Sequence, residues 1–232
     1  MSSEKNFGQL WSMRWPNWAV EYLLAMKCRA MRIGGIETNS DIEDIKLLAR
    51  AIGLKNSQDA LTLVEKFYPQ NMLQPKTRLG LEEIFSILDT DHGNGQTVPF
   101  EPAMSLFAKK PRSLEEVVRR VKAGEQKFDP SLREFLDSFY SNAELRQRAI
   151  EERPASIDEV HDAYVAAVAE HLARVYSLPI PEWSEVHGNG LREPFFAGGL
   201  QSLKAVLIAE SPTAFRRRLL FVSKDALSRP RM

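Results

Sequence analysis

The stretch SIDEVHDAYVAAVAEHLARVYSLP, residues 156–179, decides the fold class. Ser156 is followed three positions later by Glu159, which is the spacing of a helix-starting capping box. Apolar side chains then recur every three or four residues, which places them on one face of a helix. They are Ile157, Val160, Tyr164, Val168, Leu172 and Val175, with His171 beside them. The pattern predicts a long amphipathic helix.

The same signals recur along most of the chain. Capping-box spacing is found at Ser40 with Glu43 and at Ser113 with Glu116, in each case ahead of apolar residues at helical intervals. No segment alternates apolar and polar residues over enough positions to predict a strand. We therefore predict an all-α protein of two packed helical modules, with little or no β-sheet.

A change in composition near the middle of the chain predicts where the two modules meet. Lys, Arg, Pro and Gly concentrate in residues 111–129, which is typical of a connector. The predicted helical modules are therefore residues 1–110 and 130–232.

Overall composition argues against several function classes. Lys and Arg together number 31, equal to the 31 Asp and Glu, so no net field attracts nucleic acid or a membrane. Cys28 is the only cysteine, so no internal disulfide can form, which fits a reducing compartment. No apolar stretch reaches the roughly 18 residues that a membrane span needs, and residues 1–10 lack the apolar region of a signal peptide. We expect a cytoplasmic protein without a membrane partner.

The sequence DTDHGNGQ, residues 89–96, resembles the start of a calcium-binding loop. An EF-hand loop needs oxygen ligands at positions 1, 3 and 5 and a glutamate at position 12. Asp89 and Asp91 fit the first two positions, but Gly93 offers no side-chain oxygen at the third, and Glu101 arrives one residue late. These three acids are a weak calcium candidate, and a helix end followed by a Gly/Asn turn fits the sequence better.

Other signatures of metal binding or catalysis are missing from the sequence. The four histidines have no metal-motif spacing, although His-Gly-Asn-Gly occurs twice; they are His92, His161, His171 and His187. No Walker A loop, dinucleotide fingerprint, nucleophile elbow or zincin motif is found. We expect no cofactor, and the sequence favours a protein that is not an enzyme.

Two consecutive segments carry a family resemblance: YLLAMKCRAM, residues 22–31, and DIEDIKLLARAIGLKNSQDALTLVEKFYP, residues 41–69. Their order and spacing resemble the C-terminal half of minimal nucleotidyltransferase-like proteins from bacterial toxin–antitoxin loci. The resemblance covers about residues 18–88. The matching residues are Leu23, Leu24, Ala25, Met26, Lys27, Asp41, Asp44, Ile45, Gly53, Tyr68, Pro69, Pro75 and Arg78.

The resemblance implies a site but also an incomplete enzyme. In that family the lysine and the aspartate helix lie beside the nucleotide, which makes Lys27, Asp41 and Asp44 remnant catalytic candidates. Nucleotidyl transfer also needs a metal held by close carboxylates and a loop that holds the triphosphate. The family places both ahead of this region, and residues 1–17 contain neither element. Magnesium and nucleotide are therefore expected only if a separately encoded half completes the enzyme, and otherwise the three residues are ordinary charges on helix surfaces.

A second resemblance covers about residues 130–230. This part is similar to the helical C-terminal module of regulator or antitoxin proteins encoded beside such nucleotidyltransferase-like genes, often behind a helix-turn-helix, which is not evident here. The residues that carry it are Ala163, Tyr164, Ala169, Glu170, His171, Leu172, Ala173, Pro181, Trp183, Pro194, Phe196, Glu210, Ser211, Pro212, Phe215, Arg216, Arg218, Phe221, Val222 and Leu227.

The C-terminal stretch FRRRLLFVSKDALSRPRM, residues 215–232, has six cations and one acid. Arg216, Arg217 and Arg218 are therefore nucleic-acid candidates, since each phosphate contact would add salt-dependent affinity. The apolar residues around them, including Phe215, instead favour packing against another element or a partner, with the arginines paired to acids.

Together these patterns predict a non-catalytic helical component of a toxin–antitoxin-like or defence locus that acts by protein–protein binding. The expected partner is the product of a neighbouring gene or a second copy of the chain. The predicted contact residues are Trp11, Trp15, Trp18 and Phe215. The alternatives are a residual or split nucleotidyltransferase and, third, a nucleic-acid- or calcium-binding module.

Overall fold

The computed structural model describes residues 17–31, 33–37, 40–90, 110–185 and 190–228. The chain forms two compact units: unit 1 comprises the described parts of Met1–Met31 and Ser40–Asn94, and unit 2 those of Arg32–Asn39 and Gly95–Met232. In this part of the chain the secondary structure is helical apart from two strands of two residues each, which confirms the all-α prediction. None of the helices described is both long and apolar enough to cross a membrane.

Unit 1 consists, within the described residues, of four α-helices and one 3₁₀ turn. The helices are α1 (Asn17–Ala30), α2 (Ser40–Ile52), α3 (Ser57–Phe67) and α4 (Pro75–Thr90), and the turn is Gln70–Met72. Gly53 ends α2 with a φ of 72°, a conformation that glycine adopts without strain. Asn56 caps α3 by accepting a hydrogen bond from the backbone N–H of Asp59 at 2.8 Å.

The core of unit 1 comes from one apolar stripe on each helix. Helix α1 packs against α2 and α3, and α3 packs against α4. The buried residues are Leu24, Ala25 and Cys28 of α1, Ile42, Ile45 and Ala49 of α2, Ala60, Leu61 and Val64 of α3, and Leu81, Ile84, Phe85 and Leu88 of α4. Their recurrence every three or four residues explains why the sequence folds as helices here.

Unit 2 contains, in its described part, seven α-helices, two 3₁₀ turns and a minimal parallel strand pair. The helices are α5 (Leu114–Lys122), α6 (Phe128–Ser141), α7 (Arg146–Glu151), α8 (Glu159–Val175), α9 (Glu182–Glu185), α10 (Lys204–Glu210) and α11 (Thr213–Arg216). The turns are Ala143–Leu145 and Gln201–Leu203, and the strands are β1 (Phe195–Phe196) and β2 (Leu220–Phe221). Phe195 pairs with Leu220, and Phe196 with Phe221.

Helix α8 is the centre of unit 2. Residues 163–170, together with Leu172 and Ala173, are buried, and α7, α9 and α11 pack against this helix. The helix begins at Glu159 rather than at the predicted Ser156 box, because Asp158 accepts a hydrogen bond from the His161 N–H at 2.9 Å. A carboxylate at this position is also stabilised by the positive end of the helix dipole.

The region predicted to be a connector, residues 111–129, is instead a packed part of unit 2. It contains α5 and the start of α6, and these two helices lie against each other. Leu114, Val117 and Val118 are buried at this contact. The helical spacing of these apolar residues therefore outweighs the basic composition of the stretch.

Residues 33–37 lie between α1 and α2 in the chain but belong to unit 2; they are called the 33–37 segment. The backbone N–H groups of Ile36 and Glu37 donate to the Asp129 carboxylate at 3.1 and 3.0 Å. In return, the Glu37 carboxylate accepts from the N–H of Phe128 at 3.0 Å and from that of Asp129 at 3.4 Å, at the start of α6. This exchange satisfies backbone donors on both sides.

Further contacts join the 33–37 segment to the centre and the C-terminal part of unit 2. The Ser223 N–H donates to the carbonyl of Ile33 at 2.7 Å, and the Tyr164 hydroxyl donates to the carbonyl of Gly34. A Cβ on Gly34 would lie 2.9 Å from the Cα of Ala226 and closer still to its Cβ. Gly34 is therefore required by close packing.

Candidate functional site

Helix α1 exposes an apolar surface that its position in unit 1 does not explain. Four large side chains within nine residues remain open to solvent: Trp18 is 66% exposed, Tyr22 45%, and Leu23 and Met26 39% each. Trp18, Tyr22 and Met26 follow one another at intervals of four, so they lie on one side of the helix. These four residues are called the aromatic face. Single exposed apolar residues are ordinary, and a group of this size is comparable with the largest apolar patch of a typical monomer, which is often functional.

Aromatic rings and cations from the end of α1 and the end of α3 extend the aromatic face. The ring of Phe67 meets that of Tyr22 edge to face, with 5.5 Å between the ring centres. The Arg29 guanidinium lies 4.8 Å from the centre of the Tyr68 ring, and the Lys66 ammonium lies 5.6 Å from that of Phe67. Trp, Tyr and Arg are the residue types that contribute most to protein–protein binding.

Two polar groups beside the aromatic face, Lys66 and Tyr68, interact with neighbouring side chains of unit 1. The Lys66 ammonium pairs with the Glu21 carboxylate at 2.8 Å. Burial and the neighbouring Tyr22 hydroxyl raise the pKa of Tyr68, although Arg29 acts in the opposite direction. Tyr68 is therefore an uncharged hydrogen-bonding group at neutral pH.

The remnant catalytic candidates lie together in unit 1. The Lys27 ammonium contacts the Asp41 carboxylate at 3.1 Å and the Asp44 carboxylate at 2.8 Å. Partial burial lowers the pKa of Lys27, but the two aspartates outweigh it, so the net shift is upward. A lysine held in the protonated state does not serve as a general base. The contacts join α1 to α2, and Lys27 would have to leave both aspartates to reach a phosphate.

The arginines at the end of α11 surround a buried acid. Glu170 has no exposed side-chain surface, and its Oε2 accepts from Arg218 Nη1 at 2.6 Å. Its Oε1 accepts from Arg174 Nε at 2.9 Å and from Arg217 Nη1 at 3.1 Å. Burial raises the pKa of Glu170, but the three arginines outweigh this effect and lower it overall. Glu170 with Arg174, Arg217 and Arg218 is called the Glu170 cluster.

This cluster changes the interpretation of the basic C-terminal stretch. Arg218 is 3% exposed and also donates to the carbonyl oxygens of Ala214 and Ser184, so it is not available to phosphates. Arg217 is partly exposed but paired with Glu170, and Arg216 is exposed. Of the three nucleic-acid candidates, Arg218 is therefore excluded by burial, and Arg216 is the one for which no ion pair is found among the residues that the structure describes.

Phe215 is a core residue rather than the predicted partner contact. It is fully buried, with its ring centre 5.1 Å from that of Tyr164 and 6.1 Å from that of His171. A side chain in this position cannot reach a partner while unit 2 is folded. His171 itself is half-buried, and this burial lowers its pKa in spite of the nearby Glu170.

Several predicted residues lie outside the described part of the chain. They are Trp11, Trp15, Asp91, Glu101, His92 and His187, and of Asp89 only the backbone, at the end of α4, is described. Among the side chains that are described, no group of three or more His, Cys, Asp or Glu is arranged to hold a metal ion.

Sequence reasoning missed the two buried acids that organise unit 2. Glu170 and Arg174 have the spacing of a helical ion pair, but nothing local indicates that Arg217 and Arg218 meet the same carboxylate. Asp129 precedes a proline in a helix start, and its partners are more than 90 positions earlier in the chain. Neither arrangement has a signal in a single sequence.

No protein-family model matches the chain, and no curated protein and no solved structure matches it. The aromatic face, the Lys27 contacts and the Glu170 cluster therefore have to be interpreted from their own chemistry.

Proposed function

We propose that the chain is a non-catalytic component of a toxin–antitoxin-like or defence locus that binds another protein through the aromatic face of α1. The observation that carries the proposal is the exposure of Trp18, Tyr22, Leu23 and Met26 on one helix. Their exposed surface is on the order of 400 Å², comparable with the largest apolar patch of a typical monomer. This is about half of one partner's share of a standard interface, the size expected of its apolar centre.

The chemistry around the aromatic face indicates the kind of partner. Arg29 and Lys66 are cations that border it, and Lys66 already has an internal acid, Glu21. A protein with an apolar groove and carboxylates along its edge would complement this surface. The family resemblance supports the same position, because it implies that the catalytic half of such proteins packs next to this helix.

Substitutions on α1 test the proposal against a matched control. The chain is co-expressed with each neighbouring gene product, and the dissociation constant of any complex is measured with purified proteins. Trp18→Ala should weaken binding by about 2 kcal/mol or more, roughly thirtyfold, because a central aromatic contact is lost. Leu47→Ala removes an apolar side chain of α2 that is 59% exposed and outside the aromatic face, and it should leave the affinity unchanged.

Two results would contradict the proposal. One is a complex whose affinity is insensitive to Trp18→Ala and Met26→Ala; the other is an equal loss with Leu47→Ala. Sedimentation velocity on the isolated chain distinguishes a second copy as the partner, since Trp18→Ala would then shift the protein towards monomer.

A residual nucleotidyltransferase is the second candidate function. It is favoured by the proximity of Lys27, Asp41 and Asp44, the three residues that the resemblance places beside a nucleotide, and it requires Lys27 to exchange its aspartate contacts for a phosphate. A nucleotide bound only by the folded chain would raise its melting temperature. ATP or GTP with magnesium should therefore stabilise the chain, and Lys27→Met should abolish the shift. A melting temperature that does not change favours the binding protein.

A further inference from the structure

A cleft in unit 2 has the features of a small binding site and is separate from the aromatic face. Its volume is about 290 Å³. The lining residues come from the segment just before α5, from α6, from the turn between α6 and α7, and from α7. They are Lys110, Arg112, Ser138, Phe139, Asn142, Leu145 and Ala149. Binding pockets for small molecules begin at about 300 Å³, so the cleft would hold one side chain or a molecule of similar size.

The apolar part of the cleft is held firmly in place. Phe139 is 2% exposed, and its ring packs edge to face against Tyr176, with 5.4 Å between the ring centres. Arg146 donates to the carbonyl of Phe139 at 3.2 Å and lies 4.1 Å over the Tyr176 ring, which fixes the turn that carries Leu145. A preformed apolar surface binds an apolar group of matching size, such as a leucine side chain, at a reduced ordering cost.

The polar part of the cleft includes the cations Lys110 and Arg112; Arg112 is exposed, and its backbone N–H donates to the Glu116 carboxylate at 2.9 Å. Lys110 pairs with Asp137 at 3.0 Å, whereas the Arg112 guanidinium has no acid within ion-pair distance among the described residues. Asn142 uses its amide N–H to donate to the carbonyl of Ser138 at 2.8 Å, which leaves its carbonyl oxygen to accept a hydrogen bond. The cleft thus combines a cation, an acceptor and an apolar surface.

These groups complement a singly charged anion attached to an apolar group. A guanidinium binds a carboxylate through two parallel hydrogen bonds. A doubly charged phosphate would need a second free cation, and Lys110 is already paired. We propose that the cleft binds a carboxylate carried on a branched aliphatic group, either the C-terminal residue of a peptide or a free carboxylic acid.

The two sources differ at Asn142. A peptide that ends in leucine has a backbone N–H one residue from its carboxylate, and this N–H donates to the Asn142 carbonyl oxygen. A free acid such as 4-methylpentanoate has the same carboxylate and a similar apolar group but no N–H donor. The contribution of Asn142 therefore identifies the source.

Calorimetric titration of the full chain tests the proposal with three probes: acetyl-Gly-Gly-Leu with a free carboxylate, the same peptide with a C-terminal amide, and 4-methylpentanoate. The free carboxylate should bind at least about tenfold more tightly than the amide, because its charged hydrogen bonds are lost in the amide. Arg112→Gln should weaken it by a similar factor. Arg148→Gln removes an exposed arginine of α7 that does not line the cleft, and it should change the affinity by less than about twofold.

Each outcome decides a point. Binding of the peptide at least about tenfold tighter than of 4-methylpentanoate identifies a peptide C-terminus, and equal affinities identify a free acid. If Arg112→Gln does not fold, Asn142→Asp, which adds a negative charge at an exposed position, should weaken both carboxylates. The proposal is wrong if neither carboxylate binds at about 10 mM, if the amide binds equally well, or if Arg148→Gln is as damaging as Arg112→Gln. None of these readouts involves α1, so failure here leaves the proposed function standing.

Discussion

Replacing Glu170 by glutamine should destabilise unit 2 far more than replacing Arg174, the most exposed of its three arginine partners. Glu170 is fully buried, and the side chain of Arg218, its closest partner, is 3% exposed. Removing one member of a buried ion pair leaves the other charge without compensation, which typically costs about 3–5 kcal/mol. A glutamine oxygen still accepts hydrogen bonds, but the uncharged amide cannot neutralise Arg218. We expect a loss of unfolding free energy in this range.

The matched control is Arg174→Gln, which breaks a contact of similar length to the same carboxylate. The Arg174 side chain is 50% exposed, so solvent screens the contact with Glu170, and the loss should be about 0–1 kcal/mol. Arg218→Met removes the buried cation instead. The double variant Glu170→Gln/Arg218→Met should be more stable than the sum of the two single losses predicts, by about 0.5–3 kcal/mol.

The assay is unfolding in urea, followed by hydrogen exchange of peptides from α8 and α11. These peptides report on unit 2 alone, which matters because two compact units can unfold in separate steps.

The stabilisation that Glu170 contributes should also depend on pH. The pKa of Glu170 is lowered in the folded state, so its contribution is present above its ordinary value of 4.5 and is lost as the pH falls through the folded pKa. The difference between the original chain and Glu170→Gln should therefore shrink in acid.

The reasoning would be refuted if Glu170→Gln cost no more than Arg174→Gln at neutral pH. It would also be refuted if the two single losses simply added in the double variant, since independent sites show no coupling.

Two further changes follow from close packing. Gly34→Ala should lower the stability of unit 2 by about 1–3 kcal/mol, because the added Cβ meets the backbone of Ala226. Gly190→Ala should be almost neutral, because the nearest atom to its added Cβ would be the Arg218 Cα at 3.9 Å. Urea unfolding of both variants measures the two losses. Burial raises the pKa of Cys28 to about 12, so a thiol reagent at pH 8 should label it only in the unfolded chain, and rapid labelling of the folded chain would contradict this burial.

The helices of this protein were predictable because their signals are local. The helix over Val160–Val175 and the Ser113 cap depend on residues close together in the chain, and both occur in the structure. The one-sided apolar stripe predicted for this helix does not, because residues 163–170 are buried all round the helix and Val175 is 58% exposed. The start of α8 was predicted two residues too early, since its N-cap is Asp158 and not Ser156. Asp158 and Ser156 are both good capping residues, and the choice between them depends on which side chain reaches a free N–H, which spacing alone does not decide.

The rest depends on contacts between distant residues. The sequence Ile33–Gly34–Gly35 predicts a break between helices, but not that Ser223 and Tyr164 bind its backbone. The candidate site likewise has one part that local sequence predicts and one part that depends on distant contacts. Trp18 was predicted from its type and position, whereas the burial of Phe215 follows from the position of α11 on α8. A single sequence does not specify such pairings, since each buried aromatic fits many neighbours equally well.

The 33–37 segment also has a consequence for how the chain is made. Ser223, which binds Ile33, is synthesised 190 residues later, and at about 5–20 residues per second this takes about 10–40 s. Tyr164, the partner of Gly34, emerges 130 residues after it. During this time α1 and α2 can form on either side of a segment whose backbone partners do not yet exist. Unit 2 therefore cannot finish folding until Ser223 has been synthesised. A nascent chain stopped before Ser223 would leave the backbone of Ile33 without this partner, although Asp129 and Tyr164 could already bind the rest of the segment.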